Sequence, residues 1–245
     1  MSELENGTIL IQDDIQNLSP KQKTLKSLIF SSTTLTSILF FGIYLICAFT
    51  EPYKRPFDPT DKSISHPHLP DIVKIYQVYI FVLILPIIAF SLTGQVLKVV
   101  EYYLIYLVGM TMNIASNEFI KIVAGRLRPD FLDRCKPQGD VCTGDPSLVL
   151  DGRKSFFSGH SSGSFYVYTF VMLYMFHEGT KLLGLLIKRR ISTPFCLFAG
   201  VVLFFLPSYV AISRTEQYVH FPTDVLTGSL VGIGIASLVF FTMMK

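Results

Sequence analysis

The sequence predicts an all-α integral membrane protein, a bundle of six transmembrane helices. The chain is 50% hydrophobic and only 16% charged, whereas a soluble domain of this size carries about 25% charge. Its charges are also segregated, because four long stretches contain no Asp, Glu, Lys or Arg: Ser27–Thr50, Ile75–Leu97, Ile191–Ser213 and Val225–Met244. About 20 apolar residues in a helix cross the roughly 30 Å hydrocarbon layer, so each stretch predicts a membrane span.

Two further stretches complete the six. Tyr102–Asn117 is uncharged but short, and Ser155–Phe176 opens with polar residues. We interpret both as spans whose ends serve a functional site, in loops at about 121–160 and 213–224. Residues 1–26 are polar and mixed in charge, unlike a cleavable signal peptide, so we expect a flexible cytoplasmic tail followed by one transmembrane domain over 27–245.

The distribution of cations predicts the orientation, with one exception. Lys and Arg in short loops favour a cytoplasmic amino terminus under the positive-inside rule. On that topology the third and fifth loops face outside, yet these loops and their flanks hold eight cations: Lys121, Arg126, Arg128, Arg134, Lys136, Arg153, Lys154 and Arg214. Either the topology is wrong, or an anionic substrate explains why these cations are there.

The first candidate site motif, KIVAGRLRP, closes the third span. Asn113, Asn117 and Lys121 are spaced by four and share one helix face. A polar stripe inside a membrane helix should face the bundle interior. Arg128 follows seven residues after Lys121, and we expect Pro129 to end the helix. The alternative is a pair of interfacial cations that extend toward water.

The second motif, SFFSGHSSGS, opens the fourth span. Small polar residues before an apolar run predict a helix amino terminus, where backbone N–H groups and the helix dipole favour an anion. Gly159 allows the backbone to approach a ligand closely, and His160 can give or take a proton near neutral pH. Alternatively, Ser158 and its neighbouring serines simply cap the helix.

The third motif, SRTEQYVHFPTD, lies between the last two spans. Pro222 is tolerated only in a first helical turn, which puts His220 just before the sixth span and Asp224 one turn inside it. Asp224 can then orient one ring nitrogen of His220 and leave the other free as a nucleophile. Arg214 offers a planar fork for phosphate oxygens. The alternative is an ion pair between Arg214 and Asp224.

Together the motifs predict phosphoryl transfer without a metal. They combine several cations, a helix amino terminus and two histidines, and fixed cations can stabilise the charge on a transferring phosphoryl group. The sequence has no carboxylate cluster for Mg²⁺ and no Cys/His set for zinc, so we expect no cofactor. Cys135 and Cys142 share one loop and could pair in an oxidising compartment.

The three motifs resemble the signature of the type 2 phosphatidic acid phosphatase superfamily and, within it, of the lipid phosphate phosphatases. The family pattern is Lys, six residues, Arg-Pro; then Pro-Ser-Gly-His; then Ser-Arg, five residues, His, three residues, Asp. The matching residues here are Lys121, Arg128 and Pro129; Ser158, Gly159 and His160; and Ser213, Arg214, His220 and Asp224. Phe157 stands where the broad pattern has proline.

The resemblance implies a role for each matching residue. His220 would attack phosphorus and form a phosphohistidine, with Asp224 supporting it, and His160 would protonate the leaving lipid alkoxide. The phosphate would be held by Lys121, Arg128 and Arg214 together with backbone groups at Ser158 and Gly159. The implied substrates are phosphatidate, lysophosphatidate, ceramide 1-phosphate and sphingosine 1-phosphate.

The resemblance also implies a site outside the cell or in a lumen, for which we expect the plasma membrane, with ER or Golgi as the alternative. No nucleic-acid partner is expected, and the oligomeric state, a homo-oligomer included, stays open. Three rival functions remain: a polyprenyl-diphosphate or sugar phosphatase of the same superfamily, a catalytically silent lipid-binding relative, and a transporter or channel.

Overall fold

Six long helices dominate the part of the chain that the computed structural model describes, residues 20–91, 96–179 and 189–244. The elements follow in the order α1 (Pro20–Ala48), a 3-10 helix (Lys62–Ile64), α2 (Ile75–Ser91), α3 (Val96–Ala124), α4 (Phe131–Cys135), β1 (Pro137–Gln138), β2 (Val141–Cys142), α5 (Pro146–Asp151), α6 (Gly159–Tyr174) with a π-helical turn (Met175–Gly179), α7 (Arg189–Glu216) and α8 (Pro222–Met243). The strands form a small antiparallel hairpin. The all-α prediction is therefore confirmed for the described residues.

Four of these helices are long and apolar enough to cross a membrane: residues 31–48, 98–124, 197–216 and 222–243. The weak candidate Tyr102–Asn117 lies wholly within one of them, α3. The stronger candidate Ile75–Leu97 forms the shorter helix α2 as far as Ser91, and residues 92–95 of that stretch lie outside the described residues. Length and composition thus support four crossings, and six spans stay a prediction. The predicted tail at 1–26 overlaps α1, and residues 1–19 lie outside the described residues.

Helix α6 lies at the centre of the bundle and packs against α2, α3, α7 and α8. Its closest neighbour is α8, because two glycines of α8 face the backbone of the first turns of α6. A Cβ atom at Gly228 would lie 2.5 Å from the Ser158 carbonyl oxygen, and one at Gly232 would lie 2.2 Å from that of Ser162. Only glycine allows this approach. It brings the amino termini of α6 and α8, which carry the second and third motifs, side by side.

A cluster of aromatic side chains fills the bundle at the opposite end. We call this the aromatic cluster; its members are Phe90, Tyr102, Tyr106, Tyr166, Phe170, Tyr174 and Phe240. Most of their ring pairs meet edge to face, the arrangement that aromatic quadrupoles favour. The buried hydroxyls also find partners, since Tyr106 donates to the Val82 carbonyl over 2.8 Å and Tyr166 to that of Tyr106 over 2.6 Å.

Helix α3 ends at Ala124, five residues before Pro129, so the prediction that Pro129 ends this helix was wrong. The cause is Gly125, which adopts the left-handed conformation at φ +51°, a common way to end a helix. A Cβ atom there would lie 2.1 Å from the Tyr53 carbonyl oxygen. The first loop thus crosses over the end of α3, and Arg128 lies in a loop rather than on the helix.

Candidate active site

A cavity of about 250 Å³ at the carboxyl end of α3 brings residues of all three motifs together. Five of the predicted site residues line it: Lys121, Arg128, Gly159, His160 and His220. Asn113 and Asn117 continue the wall toward the middle of the bundle, which confirms that the polar stripe of α3 faces the interior. Beyond them the lining becomes apolar, with Ile75, Val78, Met110 and Ile114 among the contributors. The other three predicted residues, Ser158, Arg214 and Asp224, are buried and do not line the cavity.

The ring of His220 is held by a backbone carbonyl. Its Nδ1 atom lies 2.7 Å from the Ser155 carbonyl oxygen, so Nδ1 carries the proton and Nε2 keeps the lone pair. The Asp224 carboxylate lies 3.9 Å from Nδ1, too far for a hydrogen bond but close enough for electrostatic attraction. The prediction that Asp224 itself binds the ring was therefore wrong, because the carbonyl of Ser155 occupies that position.

The pKa of His220 is lowered to about 4, mainly by burial. The nearby cations Arg128 and Lys121 also lower this pKa, whereas Asp224 acts to raise it. A buried cationic imidazole is costly because it loses its hydration. His220 is therefore neutral throughout the range around pH 7, with an available lone pair on Nε2. That is the protonation state that a nitrogen nucleophile requires.

Asp224 is fully buried and has a partner for each oxygen. Oδ1 accepts from the Arg126 guanidinium over 2.5 Å, and Oδ2 accepts from the Ser155 hydroxyl over 2.6 Å. Oδ2 also accepts from the Phe221 N–H over 3.1 Å, which ties the carboxylate to the start of α8. The predicted alternative, an Arg214–Asp224 ion pair, was wrong: the arginine on Asp224 is Arg126.

Ser155 connects these groups in a closed ring of contacts, which we call the Ser155 network. Its N–H donates to the Arg126 carbonyl over 3.0 Å, its hydroxyl donates to Asp224, and its carbonyl accepts from His220. Each group therefore fixes the next, and the nucleophile candidate is positioned by two segments that are far apart in sequence.

The amino terminus of α6 has the predicted capping geometry. Ser158 is the N-cap residue, and its hydroxyl oxygen accepts from the Ser161 N–H over 3.4 Å. The Ser158 N–H donates to the Asp224 carbonyl over 3.1 Å, so it is already bonded, and Ser158 contributes a helix cap where a phosphate ligand was expected. Gly159 does line the cavity. A Cβ atom there would lie 2.8 Å from the Asn117 amide oxygen, so the site requires glycine.

His160 follows in the first turn of α6 and lines the same cavity as His220. Among the described residues, no hydrogen-bond partner contacts its buried Nε2 atom. The two histidines thus differ. The ring of His220 is anchored at one nitrogen, whereas Nε2 of His160 is available for proton exchange with a ligand.

Each predicted phosphate-binding cation is paired with a carboxylate. Lys121 Nζ lies 2.9 Å from Glu118, Arg128 lies 2.9 Å from Asp151, and Arg214 lies 2.8 Å from Asp71. The side chains of Asp71 and Asp151 are about half exposed, at 48% and 47%. Burial raises the pKa of Asp151, but the Arg128 and Arg134 guanidiniums outweigh that effect and lower it overall. An entering phosphate would therefore compete with carboxylates for these cations.

The residues that support the site were not predicted from the sequence. Arg126 lay inside the first motif, but no local pattern identified its partner. Glu118 at three residues from Lys121 fits the spacing of a helical ion pair, so that pair could have been predicted.

The Cys135–Cys142 disulfide does form, and it closes the hairpin next to α4. Among the described residues, no group of three or more His, Cys, Asp or Glu side chains is placed to hold a metal ion.

Comparison with known proteins identifies the family. The model of the PAP2 superfamily matches residues 102–245. The chain is 36% identical to the phospholipid phosphatase homolog 1.2 homolog of Caenorhabditis elegans over 55% of this chain and 41% of that protein, less than half its length. It is 31% identical to phospholipid phosphatase 1 of Rattus norvegicus over 77% of this chain and 74% of that protein. It is 30% identical to diacylglycerol pyrophosphate phosphatase 1 of Saccharomyces cerevisiae over 75% of this chain and 69% of that protein.

No solved structure matches the chain significantly. The family match covers the polar end of α3, the capped start of α6 and the start of α8, and so includes every residue of the cavity that the three motifs supply. The four long apolar helices of the described residues agree with an integral membrane protein. The chain belongs to the PAP2 superfamily.

Proposed function

We propose that the protein hydrolyses lipid phosphomonoesters without a metal ion, through a phosphohistidine on His220. The proposed substrates are phosphatidate, lysophosphatidate, ceramide 1-phosphate and sphingosine 1-phosphate. The observation that carries the proposal is one cavity lined by both histidines, by Lys121 and Arg128, and by apolar side chains at its membrane end. A phosphate headgroup fits the charged end, and the chains of a lipid fit the apolar end.

In the first step, the Nε2 lone pair of His220 attacks phosphorus. The bond from phosphorus to the lipid oxygen breaks, and His160, which we propose becomes protonated when the anionic substrate binds, donates its Nε2 proton to that oxygen, so that the lipid alcohol leaves. The Nδ1–H of His220 stays on the Ser155 carbonyl, and Asp224 stabilises the positive charge that develops on the ring. Lys121 and Arg128 stabilise the charge on the transferring phosphoryl oxygens.

In the second step, a water molecule attacks the phosphohistidine. His160, now deprotonated, takes a proton from this water, the bond from phosphorus to Nε2 breaks, and inorganic phosphate leaves. Both histidines return to their starting protonation states. Arg214 is buried and pairs with Asp71, and we propose that its guanidinium turns from Asp71 toward the phosphate when substrate binds.

We further propose that the site faces the extracellular side or a lumen, in the plasma membrane or, alternatively, in the ER or Golgi. The Cys135–Cys142 disulfide supports this side, because disulfides persist in oxidising compartments and this one lies in the loop that carries Arg128. The same orientation follows from the positive-inside rule. The eight cations of the outer loops would then serve the anionic substrate in part, and several of them pair with carboxylates.

The test is phosphate release from phosphatidate by purified protein in chelator. We expect turnover without a divalent ion, and we expect His220→Ala to abolish it. A brief incubation of wild type with ³²P-labelled substrate should leave acid-labile, alkali-stable label on the protein, and none on the variant. The name of the yeast relative favours including a diphosphate lipid as a second candidate substrate.

His177→Ala is a matched control. His177 lies in the π-helical turn at the far end of the bundle, where its ring contacts Glu178 and Phe240. We expect this variant to keep wild-type activity. Normal turnover by His220→Ala would refute the assigned nucleophile, and a strict requirement for added metal would refute the mechanism.

A further inference from the structure

Asn113 lines the cavity and carries a buried hydrogen-bond acceptor without a partner in the described part of the chain. The residue lies on α3, and its side chain is buried, with 1% of its surface exposed. Its amide nitrogen donates to the Ser162 hydroxyl over 3.3 Å. Its Oδ1 atom has no hydrogen-bond partner among the described residues, although Asn113 lines the cavity. A buried polar atom without a partner is unusual and calls for a physical explanation.

The neighbouring hydrogen bonds determine which end of the amide is unused. The Ser162 hydroxyl donates its proton to the Gly159 carbonyl over 3.3 Å. It can therefore only accept from Asn113, which places the amide nitrogen toward Ser162. The oxygen is then the unpaired end, and a ligand that satisfies it must bring a hydroxyl or an N–H group.

Asn113 lies between the charged and apolar parts of the cavity. Asn117, one helical turn nearer the rim, donates to the Phe157 carbonyl and lies against Gly159. At a rise of about 1.5 Å per residue, Asn113 is about 6 Å deeper than Asn117. Met110 and Ile114 flank it on the apolar side. A phosphate held at the level of Gly159 and Lys121 thus places the first backbone carbons of a lipid near Asn113.

We propose that Asn113 Oδ1 recognises a donor on the lipid backbone, at the carbon next to the phosphoester carbon or one further on. Lysophosphatidate has a hydroxyl there, and sphingoid phosphates have an amine or amide N–H and a hydroxyl. A diacyl phosphatidate has only ester oxygens at these positions and cannot donate. Asn113 is accordingly a specificity-determining residue that favours donor-bearing lipid phosphates, an inference that rests on the proposed phosphatase function.

The test compares pairs of substrates that share one acyl chain and differ only in the donor. Initial rates in mixed micelles give kcat/KM for lysophosphatidate and for its analogue with a methoxy group in place of the free hydroxyl. We expect wild type to prefer the hydroxyl compound about 10-fold, since a buried site that hydrogen-bonds its ligand discriminates against an analogue lacking the donor. Asn113→Leu should bring this ratio of kcat/KM values close to 1.

Thr111→Val provides the control on the same helix. The Thr111 hydroxyl donates to the Val108 carbonyl of its own helix, and Thr111 does not line the cavity. This variant should keep the wild-type ratio. The wild-type comparison of the two lipids also tests the proposal without any variant, should Asn113→Leu fail to fold.

The outcomes separate the two proposals. Equal kcat/KM for both lipids with wild type would overturn the role of Asn113 and leave the phosphatase function intact. A wild-type preference that persists in Asn113→Leu would also overturn it. Absence of phosphate release from every lipid would overturn the proposed function, and the inference with it.

Discussion

The aromatic cluster and the candidate active site occupy opposite ends of the same bundle, and different forces hold them. In the aromatic cluster, Phe170 contacts four other rings. At the site, buried charges meet specific partners, such as Arg126 with Asp224 and Arg134 with Asp130. An aromatic ring can be replaced by another apolar group at a moderate cost in folding free energy. Removing one partner of a buried ion pair instead leaves the other charge buried and uncompensated. We therefore expect changes in the aromatic cluster to affect stability and changes at the site to affect catalysis.

The largest effect should come from the aromatic cluster. Phe170→Ala leaves a cavity among Phe90, Tyr106 and Phe240, and such a change in a packed core costs about 3–5 kcal/mol in the free energy of unfolding. Thermal unfolding in detergent should show a clear decrease in Tm. The folded fraction should keep the wild-type KM and pH profile, because Phe170 does not line the cavity.

Phe170→Leu is the matched control, because it retains most of the apolar volume. It should lose clearly less stability than Phe170→Ala. A change in KM or in the pH profile in either variant would contradict the separation of the two ends.

The next largest effect should come from Arg126→Gln, which removes the cation from Asp224 but leaves the cavity lining in place. Without Arg126, Asp224 attracts a proton to His220 more strongly, so the pKa of His220 should rise above its value of about 4. The reaction requires neutral His220, so the acid limb of kcat/KM should move to higher pH. We also expect kcat to fall about 10- to 100-fold, because the Ser155 network loses one of its members.

Arg153→Gln is the control for this prediction. Arg153 also lies over an aromatic ring, that of Phe131, as Arg126 lies over Phe221, but it does not contact Asp224. It should change neither kcat nor the pH profile. If Arg126→Gln reduced only the amount of folded protein, with an unmoved acid limb, the positioning role of Arg126 would be refuted.

The helices and the motif residues could be predicted from the sequence because their signals are local. Uncharged stretches predicted the long helices, Pro222 predicted the start of α8, and the spacing of Asn113, Asn117 and Lys121 predicted one buried face. The four-residue spacing of Gly228 and Gly232 is likewise a local signal for the close approach of α8. The end of α3 was missed although Gly125 offered a local signal, because Pro129 was given more weight.

The contacts that complete the site could not be predicted from the sequence because they depend on long-range packing. Arg214 and Asp71 are 143 residues apart, and no charge pattern selects Asp71 among the acidic residues of the first loop. The acceptor for His220 is a backbone carbonyl, which every residue has, so the sequence carries no sign of it. Asp224 was correctly placed near His220, but its actual partners became visible only when α6, α8 and the loop after α3 were assembled.

The smallest predicted effect concerns this first-loop carboxylate. Asp71 is about half exposed and binds the buried Arg214 guanidinium, so it competes with a phosphate for that cation. Asp71→Asn removes the competing charge. Solvent screens the half-exposed Asp71 carboxylate, so we expect KM for a lipid phosphate to fall by about 2- to 5-fold with little change in kcat. Asp61→Asn, which changes an exposed capping carboxylate of the same loop, should leave KM unaltered. A higher KM in Asp71→Asn would instead mean that Asp71 holds Arg214 in its binding position.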